Sequence, residues 1–342
     1  MGSMTRFLSN YGTNLKAALI LWPLASFALT LPILAYLYHR DGRLRFGSVV
    51  ATYLAVLYVL GIGCFTLWPL PEGDAGPGIT YGVAPNFNPL NFIADIQKEG
   101  LRAVFQLAFN VVFFMPLGFI AGRLLRMRLV PTVLLALVTS VLVETAQYTG
   151  LFGLYDYAYR CCDVDDVITN TLGGLLGWVV ARGFTMVVPQ KLDTEGITDH
   201  PGFVRRSVAL WLDYLLMELA AALVWVVVAS ASTAMTGGLP RFFGMDVDQT
   251  RTAVMAVLVA VAFVVVEIIV PWRHDGSTPG GSFVRMTFET HPRTRGYRVL
   301  FYAVRAITLW LVIYGPLTFW PLMPALLIFY LVCRRMPYDY IP

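Results

Sequence analysis

The chain carries little charge for its length. Asp, Glu, Lys and Arg make up only 13% of its 342 residues, whereas 57% of the residues are hydrophobic and 14% are aromatic. About one quarter of the residues in a soluble domain are charged, so this composition excludes an ordinary soluble globular protein. The mean hydropathy of +0.66 and repeated apolar runs of about 20 residues instead predict an all-α fold class, a polytopic transmembrane helix bundle.

The sequence also has few residues suited to common catalytic and cofactor chemistry. It has no nucleotide-binding glycine loop, dinucleotide fingerprint or zinc signature, which argues against those functional classes. Its four histidines, His39, His200, His274 and His291, are predicted to lie on the inner side of the membrane or in a linker. Their position argues against Ser-His or Cys-His catalysis at the outer face. The net charge of +4 is consistent with anchoring at the membrane, and no nucleic-acid partner is expected.

Nine apolar segments are candidate membrane spans. They cover approximately residues 15–38, 48–70, 104–122, 130–148, 164–187, 207–232, 252–271, 299–315 and 316–333. The last two are short and contain Pro316, Pro321 and Pro324, so they form either two spans or one hairpin or kinked region. The first segment begins too late and is too long for a simple signal peptide, which predicts that it is retained.

A polar segment with prolines near both ends, 188–204, separates the fifth and sixth predicted spans. We therefore predict a five-span membrane domain at 1–187, a cytoplasmic linker at 188–204 and a membrane domain of three or four spans at 205–342. Most Lys and Arg residues fall in alternate loops that would lie on one side of the membrane. The positive-inside rule then predicts a multi-pass plasma-membrane protein with its N-terminus outside and its C-terminus in the cytoplasm.

Polar residues gather at the predicted outer ends of the third, fourth and fifth spans. Glu144 and Gln147 share a face of the fourth span by their spacing, and Asp163, Asp166 and Asn170 share a face of the fifth. An ionisable residue at membrane depth is by default a functional-site hypothesis. The outer polar cluster that we predict comprises Asn110, Glu144, Gln147, Arg160, Asp163, Asp166 and Asn170.

Two interpretations of the outer polar cluster are open. In the structural one, Asp163 is an N-cap, the two aspartates after it stabilise the first helical turn, and Gln147 and Asn170 form hydrogen bonds between helices. In the functional one, the carboxylates hold a divalent cation such as Mg²⁺ or Ca²⁺, or Glu144 acts as a general acid or base.

Three cysteines are predicted to face the oxidising outer compartment. Cys64 lies near the outer end of the second span, and Cys161 and Cys162 precede the fifth. A bridge from Cys64 to either of them, or a disulfide between the adjacent pair, is compatible with that compartment. Free buried thiols are the alternative.

Four blocks of residues resemble those of a known family. They are NPLNFI at 88–93, NVVFFMPLGF at 110–119, ETAQ at 144–147 and RCCDVDDVITNTLGGLLG at 160–177. In order and spacing these blocks resemble the VanZ-like membrane proteins, over roughly residues 15–187. The resemblance implies a role in the cell envelope and a link to resistance against lipoglycopeptide antibiotics of the teicoplanin type.

The second half carries a looser resemblance, over about residues 203–342. Its blocks are RRSVALWLDYLL at 205–216, GSTPGGSFVRM at 276–286, RVLFYAVRAI at 298–307 and RRMPYDYI at 334–341. They resemble the RDD family, named for one arginine and two aspartates, which map here onto Arg206, Asp213 and Asp339. With Arg305 these residues form the inner network that we predict. It either joins the helices or, as the link of some RDD proteins to cation exchange implies, belongs to an ion or proton path.

Three functions follow from these features. The first is a non-enzymatic protein of the bacterial cell envelope that binds or moves a lipid or lipid-linked headgroup at its outer face. The second is a membrane-embedded enzyme acting on a lipid phosphate or a lipid-linked sugar. The third is an ion-coupled transporter that uses carboxylates of both halves. Only the divalent cation is a candidate cofactor, and the expected partner is a membrane lipid or a lipid-linked headgroup.

Overall fold

A computed structural model of the chain describes residues 2–67, 85–155, 158, 162–189, 196–319 and 321–342. Side chains are described from Asn14 onward, except that of Leu317. The regular structure of the described residues is helical, with two isolated β-bridges, Asn86 to Asp163 and Thr198 to Met286.

The described residues form thirteen α-helices. The first seven are α1 (Gly2–Asp41), α2 (Phe46–Leu67), α3 (Asn91–Glu99), α4 (Leu101–Phe119), α5 (Leu129–Tyr148), α6 (Gly150–Gly153) and α7 (Val164–Val187). The others are α8 (Phe203–Thr236), α9 (Val247–Val264), α10 (Val270–Arg273), α11 (Pro279–Phe283), α12 (Arg295–Tyr314) and α13 (Leu322–Cys333). A π-helical segment, Ile120–Leu124, extends α4, and another, Val265–Ile269, joins α9 to α10.

Among the described residues, seven helices are long and apolar enough to cross a membrane. They are Asn14–Asp41, Phe46–Leu67, Leu101–Leu124, Leu129–Tyr148, Phe203–Thr236, Val247–Arg273 and Arg295–Tyr314. Large apolar side chains lie on their surfaces, among them Phe27, which is 85% exposed, and Phe105, which is 69% exposed. Such surfaces are expected where lipid replaces water around a helix. These helices confirm the predicted fold class of an all-α polytopic membrane protein.

Two of the nine predicted spans, the fifth and the ninth, are not among these seven helices. The α7 helix has 24 residues but is not among the seven, and it contains the charged residues Asp165, Asp166 and Arg182. The α13 helix has 12 residues, a length of about 18 Å, whereas the hydrocarbon core is roughly 30 Å thick. The region 299–333 therefore holds one full-length helix followed by a helix too short to cross the membrane alone.

Contacts between helices divide the chain into two compact units. The first unit consists of Met1–Thr30 and Arg45–Leu192, and the second of Leu31–Leu44 and Asp193–Pro342. The boundary between Leu192 and Asp193 lies within the segment 188–204. The sequence assigned the whole first span to the domain 1–187, but the last part of α1 packs with the second unit.

In the first unit, glycines let two helices approach closely. Gly173 and Gly177 of α7 lie directly against the backbone carbonyl oxygens of Val111 and Met115 on α4. A Cβ atom at either glycine would overlap that oxygen. The Gly-x-x-x-Gly spacing therefore serves packing between helices of one unit, which is the use of small residues that membrane helices favour.

The described residues of the second unit contain two apolar clusters, and the larger one involves several of its helices. Phe301 on α12 and Met286 are fully buried in it, and Val208 brings α8 into the same cluster. Tyr338, in the 3-10 turn Pro337–Tyr340, packs there with 2% exposure. The cluster thus joins the middle and the end of the second unit.

Candidate functional site

The outer polar cluster is built around the first residues of α7. Asp163 caps this helix, because its carboxylate accepts a hydrogen bond from the backbone N–H of Asp165 at 3.0 Å. The same oxygen accepts one from the Asn86 side-chain amide at 3.1 Å. Backbone hydrogen bonds from Asn86 to Cys162 and from Val164 to Asn86 join the two segments. The cap therefore also fixes the segment that leads into α3.

Glu144 reaches this cap from α5. It is 4% exposed, and its Oε2 accepts a hydrogen bond from the backbone N–H of Asp163 at 3.2 Å. A buried carboxylate without partners is costly in a membrane. The contact with Asp163 places Glu144 at the point where α5 meets the start of α7.

Asp165 and Asp166 bind different neighbours of α7. Asp165, 5% exposed, accepts a hydrogen bond from the backbone N–H of Phe92 at 2.9 Å and so secures the first turn of α3. Asp166 accepts one from the Asn110 side-chain amide on α4 at 2.6 Å. The predicted cluster does not include Asp165, because this residue lies off the face that Asp163, Asp166 and Asn170 share. Its partner is a backbone group, which no residue pattern indicates.

Two side-chain amides lie deeper between the helices. The Asn170 amide on α7 donates to the Ser140 hydroxyl on α5 at 2.9 Å, and both side chains are buried. The Gln147 amide donates to the carbonyl oxygen of Thr66 on α2 at 2.8 Å. Both bonds join helices, as the structural interpretation of these residues expects. Ser140 is a further member of the cluster. Nothing in the sequence indicated it, because a single serine in an apolar helix is small and uncharged.

The three aspartates at the start of α7 do not converge on one site, because their carboxylates accept hydrogen bonds from different residues: Asn86, Phe92 and Asn110. Within the described residues, no three His, Cys, Asp or Glu side chains are arranged to hold a metal ion. The predicted divalent-cation site therefore has no support in the part of the cluster that is described. Arg160 lies outside the described residues.

A disulfide between Cys64 and Cys162 is excluded. Cys64 is a free, buried cysteine near the end of α2. Cys64 therefore forms neither of its two predicted bridges, and the third predicted bridge involves Cys161, which lies outside the described residues.

In the second unit, Arg206 and Asp339 form a buried ion pair. The Nη2 atom of Arg206 lies 2.7 Å from Oδ2 of Asp339, and Nη1 lies 3.3 Å from Oδ1. The guanidinium is also 6.0 Å from the centre of the Tyr338 ring. Burial raises the pKa of Tyr338, so its phenol stays protonated at neutral pH. Two of the predicted inner residues, on α8 and near the chain end, thus contact each other.

Asp213 is placed apart from that pair, against the turn that begins α11. It has no solvent exposure and accepts hydrogen bonds of 2.6 Å from the Thr278 hydroxyl and from the Gly280 backbone N–H. A Cβ atom at Gly280 would lie 2.9 Å from Oδ1 of Asp213 and would overlap the carbonyl oxygen of Ala209. Glycine at this position therefore lets the turn approach α8 closely enough to bind the carboxylate.

Arg305 pairs with a residue that the predicted inner network omitted, Glu267. Its Nη2 lies 2.7 Å from Oε2 of Glu267, and its Nη1 donates to the carbonyl oxygen of the same residue at 3.0 Å. Glu267 belongs to the π-helical segment Val265–Ile269, in which the wider turn leaves carbonyl groups open to other donors. The Phe288 ring covers the guanidinium, 3.9 Å away. The signal in the sequence was a carboxylate inside an apolar span.

Glu218, the remaining carboxylate of α8, has a neutral partner. The Tyr314 hydroxyl on α12 lies 3.1 Å from its Oε1. The predicted inner residues therefore fall into the pair Arg206 and Asp339 and a second group, in which Arg305 pairs with Glu267 and also interacts electrostatically with Asp213.

A known family model matches part of the chain. Residues 50–187 match the family described as VanZ/LLP1, and this segment is similar to that family. The match runs from within α2 to the end of α7 and includes every predicted residue of the outer polar cluster. No curated protein and no solved structure matches the chain. The RDD resemblance of residues 203–342 stays a prediction.

Proposed function

We propose that this multi-pass membrane protein belongs to the bacterial cell envelope and that its first unit binds a lipid or a lipid-linked envelope precursor at the outer face. The observation that carries the proposal is the presence of two buried carboxylates, Glu144 and Asp165, around the first turn of α7. Ionisable groups held at such a depth are costly, and in membrane proteins they commonly mark ligand sites. Similarity to the VanZ/LLP1 family supports a link to glycopeptide resistance, in particular to teicoplanin-type lipoglycopeptides.

The chemistry of the described cluster favours hydroxyl and ammonium groups as its ligands. Carboxylates accept hydrogen bonds only, and the side-chain amides of Asn110 and Gln147 can both donate and accept. A sugar or amine headgroup offers complementary donors. Arg160 supplies the positive charge next to these carboxylates in sequence, and it is the residue that we assign to a headgroup phosphate.

An apolar cleft lined by residues of α4, of its π-helical extension and of α7 supports a lipid as the ligand. It has a volume of about 280 Å³ and is lined by Met115, Pro116, Phe119, Ile120, Gly177 and Val180. At 1.5 Å per residue, Asn110 and Phe119 are separated by about 13 Å along α4. A headgroup at the cluster could therefore extend an acyl chain along α4 and α7 into the cleft.

Native mass spectrometry of the full-length protein, extracted with lipids from its membrane, tests this proposal. Glu144→Gln and Arg160→Gln remove one charge each, and Glu99→Gln is the matched control, since Glu99 is an exposed carboxylate of the first unit with 54% side-chain exposure. We expect the wild type and the control to carry the same lipid adduct and the two cluster variants to lose most of it. Equal adducts in all four proteins would exclude a lipid site at this cluster.

The resistance link is tested in cells that express the same four proteins at matched levels. Protection against teicoplanin should be present with the wild type and with Glu99→Gln, and it should fall with Glu144→Gln and Arg160→Gln. Protection that is absent from the wild type would overturn the link, whatever lipid the protein binds.

We also infer that the second unit is RDD-like, with a network whose main role is to join its helices. The three mapped residues, Arg206, Asp213 and Asp339, are all buried and hydrogen-bonded to other segments of the same unit. Combining Arg206→Met with Asp339→Leu tests the role, because a joining pair should show a coupling energy of about 1 kcal/mol or more in a double-mutant cycle. Additive losses would contradict it.

A further inference from the structure

A cavity in the second unit has the composition of an anion site. Its volume is about 420 Å³, within the range of about 300–1,000 Å³ that small-ligand sites occupy. Its ionisable lining side chains are His200, Arg206, His291, Arg334, Arg335 and Asp339. Asp339 is its only carboxylate among the described lining residues, and the cavity is therefore basic.

The charge available to a ligand comes from Arg334 and Arg335. Arg206 and Asp339 neutralise each other through the buried ion pair described above. Arg334 and Arg335 are exposed, and neither guanidinium has a carboxylate within salt-bridge distance in the part of the chain that the structure describes. Two arginines without a counter-charge on one cavity wall are suited to a phosphate group, which a planar guanidinium can bind through two hydrogen bonds.

The backbone conformation of Arg334 also supports a binding role for this residue. This residue ends α13 in the left-handed conformation, with φ 57° and ψ 14°, and its N–H bonds to the carbonyl oxygen of Tyr330. Helix ends of this kind normally carry glycine, because a side chain there has a steric cost. Non-glycine residues that persist in such conformations cluster at functional sites. Here the conformation keeps a guanidinium at the cavity.

The other walls of the cavity are held in place by hydrogen bonds. His291 lies 3.2 Å from the carbonyl oxygen of Ile341 through Nε2 and 3.1 Å from the Thr290 hydroxyl through Nδ1. Arg293 donates to the same Ile341 carbonyl at 3.1 Å. The chain end is thus fixed next to the cavity, and little ordering would be needed when a ligand binds.

We propose that this cavity binds a phosphate-bearing anion, with Arg334 and Arg335 as its ligands. The arginines directly follow an apolar helix, Leu322–Cys333. We therefore place the cavity at the membrane–water interface, next to the end of that helix. On the predicted topology this is the cytoplasmic side, where anionic lipid headgroups attract arginines and lysines. The phosphate can belong to a lipid headgroup or to a soluble metabolite, since both present the same group.

The experiment uses the full-length wild type, the double variant Arg334→Gly with Arg335→Gln, and the control Arg295→Gln. Glycine at residue 334 removes the cation and suits the left-handed backbone, so the double variant should melt no lower than the wild type. Arg295 is an exposed arginine outside the cavity, on the same predicted side of the membrane. A general attraction to anions would be weakened in this control as well as in the double variant, whereas a site at Arg334 and Arg335 is lost in the double variant only.

The first arm measures lipid retained after reconstitution in phosphatidylcholine nanodiscs that contain phosphatidylglycerol. The second measures thermal stabilisation of detergent-purified protein by inorganic phosphate and by glycerol 3-phosphate. A lipid ligand predicts about tenfold less retained phosphatidylglycerol in the double variant than in the wild type and control, as for the loss of a charge-assisted hydrogen bond. A soluble ligand predicts stabilisation of the wild type and control only.

Two results would overturn the proposal. One is equal retention of phosphatidylglycerol in all three proteins together with no stabilisation by either soluble phosphate. The other is an equal response of the double variant and the wild type in both arms. An unchanged melting temperature of the double variant shows that its loss of binding is not a loss of folding.

Discussion

The backbone N–H of Asp163 donates a hydrogen bond to Oε2 of Glu144 over 3.2 Å. This bond joins the cap of α7 to α5, and the Asp163 side chain extends the connection to Asn86. One buried carboxylate therefore organises three segments of the first unit. Its replacement should affect structure and binding in different ways, depending on whether an acceptor is retained.

Glu144→Ala is expected to destabilise the first unit more than Glu144→Gln. Alanine leaves the partly buried Asp163 N–H without its acceptor, which costs about 1 kcal/mol, whereas the glutamine carbonyl oxygen can still accept that bond. Thermal melting in detergent of both variants beside the wild type gives the comparison. Equal losses in the two variants would mean that the charge, and not the hydrogen bond, stabilises this junction.

Gly177→Ala should disrupt the packing of α7 on α4. The added Cβ would overlap the Met115 carbonyl oxygen, and forcing extra atoms into packed positions typically costs about 1–3 kcal/mol. Gly183→Ala is the matched control on the same helix, since a Cβ at Gly183 meets open space. Alanine there should stabilise the helix by up to about 1 kcal/mol. Melting temperatures that move in the same direction would contradict the close contact.

Arg305→Met and Glu267→Leu should each be more harmful alone than in combination. Glu267 and Arg305 are 0% and 1% exposed, and removing one partner leaves the other charge buried at a cost of about 3–5 kcal/mol. The double variant has no such charge and should recover part of the stability of the wild type. Unfolding of the four proteins in detergent measures the coupling energy. A double variant as unstable as the sum of the single variants would show that the pair is independent.

Cys64 should be alkylated in the denatured protein without prior reduction, because it is a free thiol in the folded chain. Peptide mapping by mass spectrometry after denaturation in a thiol-alkylating reagent tests this state. A reduced and alkylated sample serves as the control for complete labelling. Recovery of Cys64 only after reduction would show that it is bridged.

Local features of the site were predictable from the sequence. Asp163 directly precedes an apolar helix, which is the usual position of an N-cap, and the structure shows the cap. Gly173 and Gly177 have the spacing of a helix contact, and they make one. Asp165 was not recognised as a member of the cluster, because its partner is the backbone of Phe92, 73 residues away. A backbone donor has no identity that a residue pattern could indicate.

The sequence by itself determined the class of the protein and the positions of most spans, because the length and apolarity of a membrane helix are local properties. Only the tertiary structure decided which polar groups meet. Arg206 pairs with Asp339, 133 residues away, Arg305 pairs with Glu267, and Asp213 binds the turn at Thr278 instead of an arginine. Such partners depend on the rotation and depth of each helix in the bundle. Those quantities are set by close packing among all the helices of a unit, and no single segment of sequence contains them.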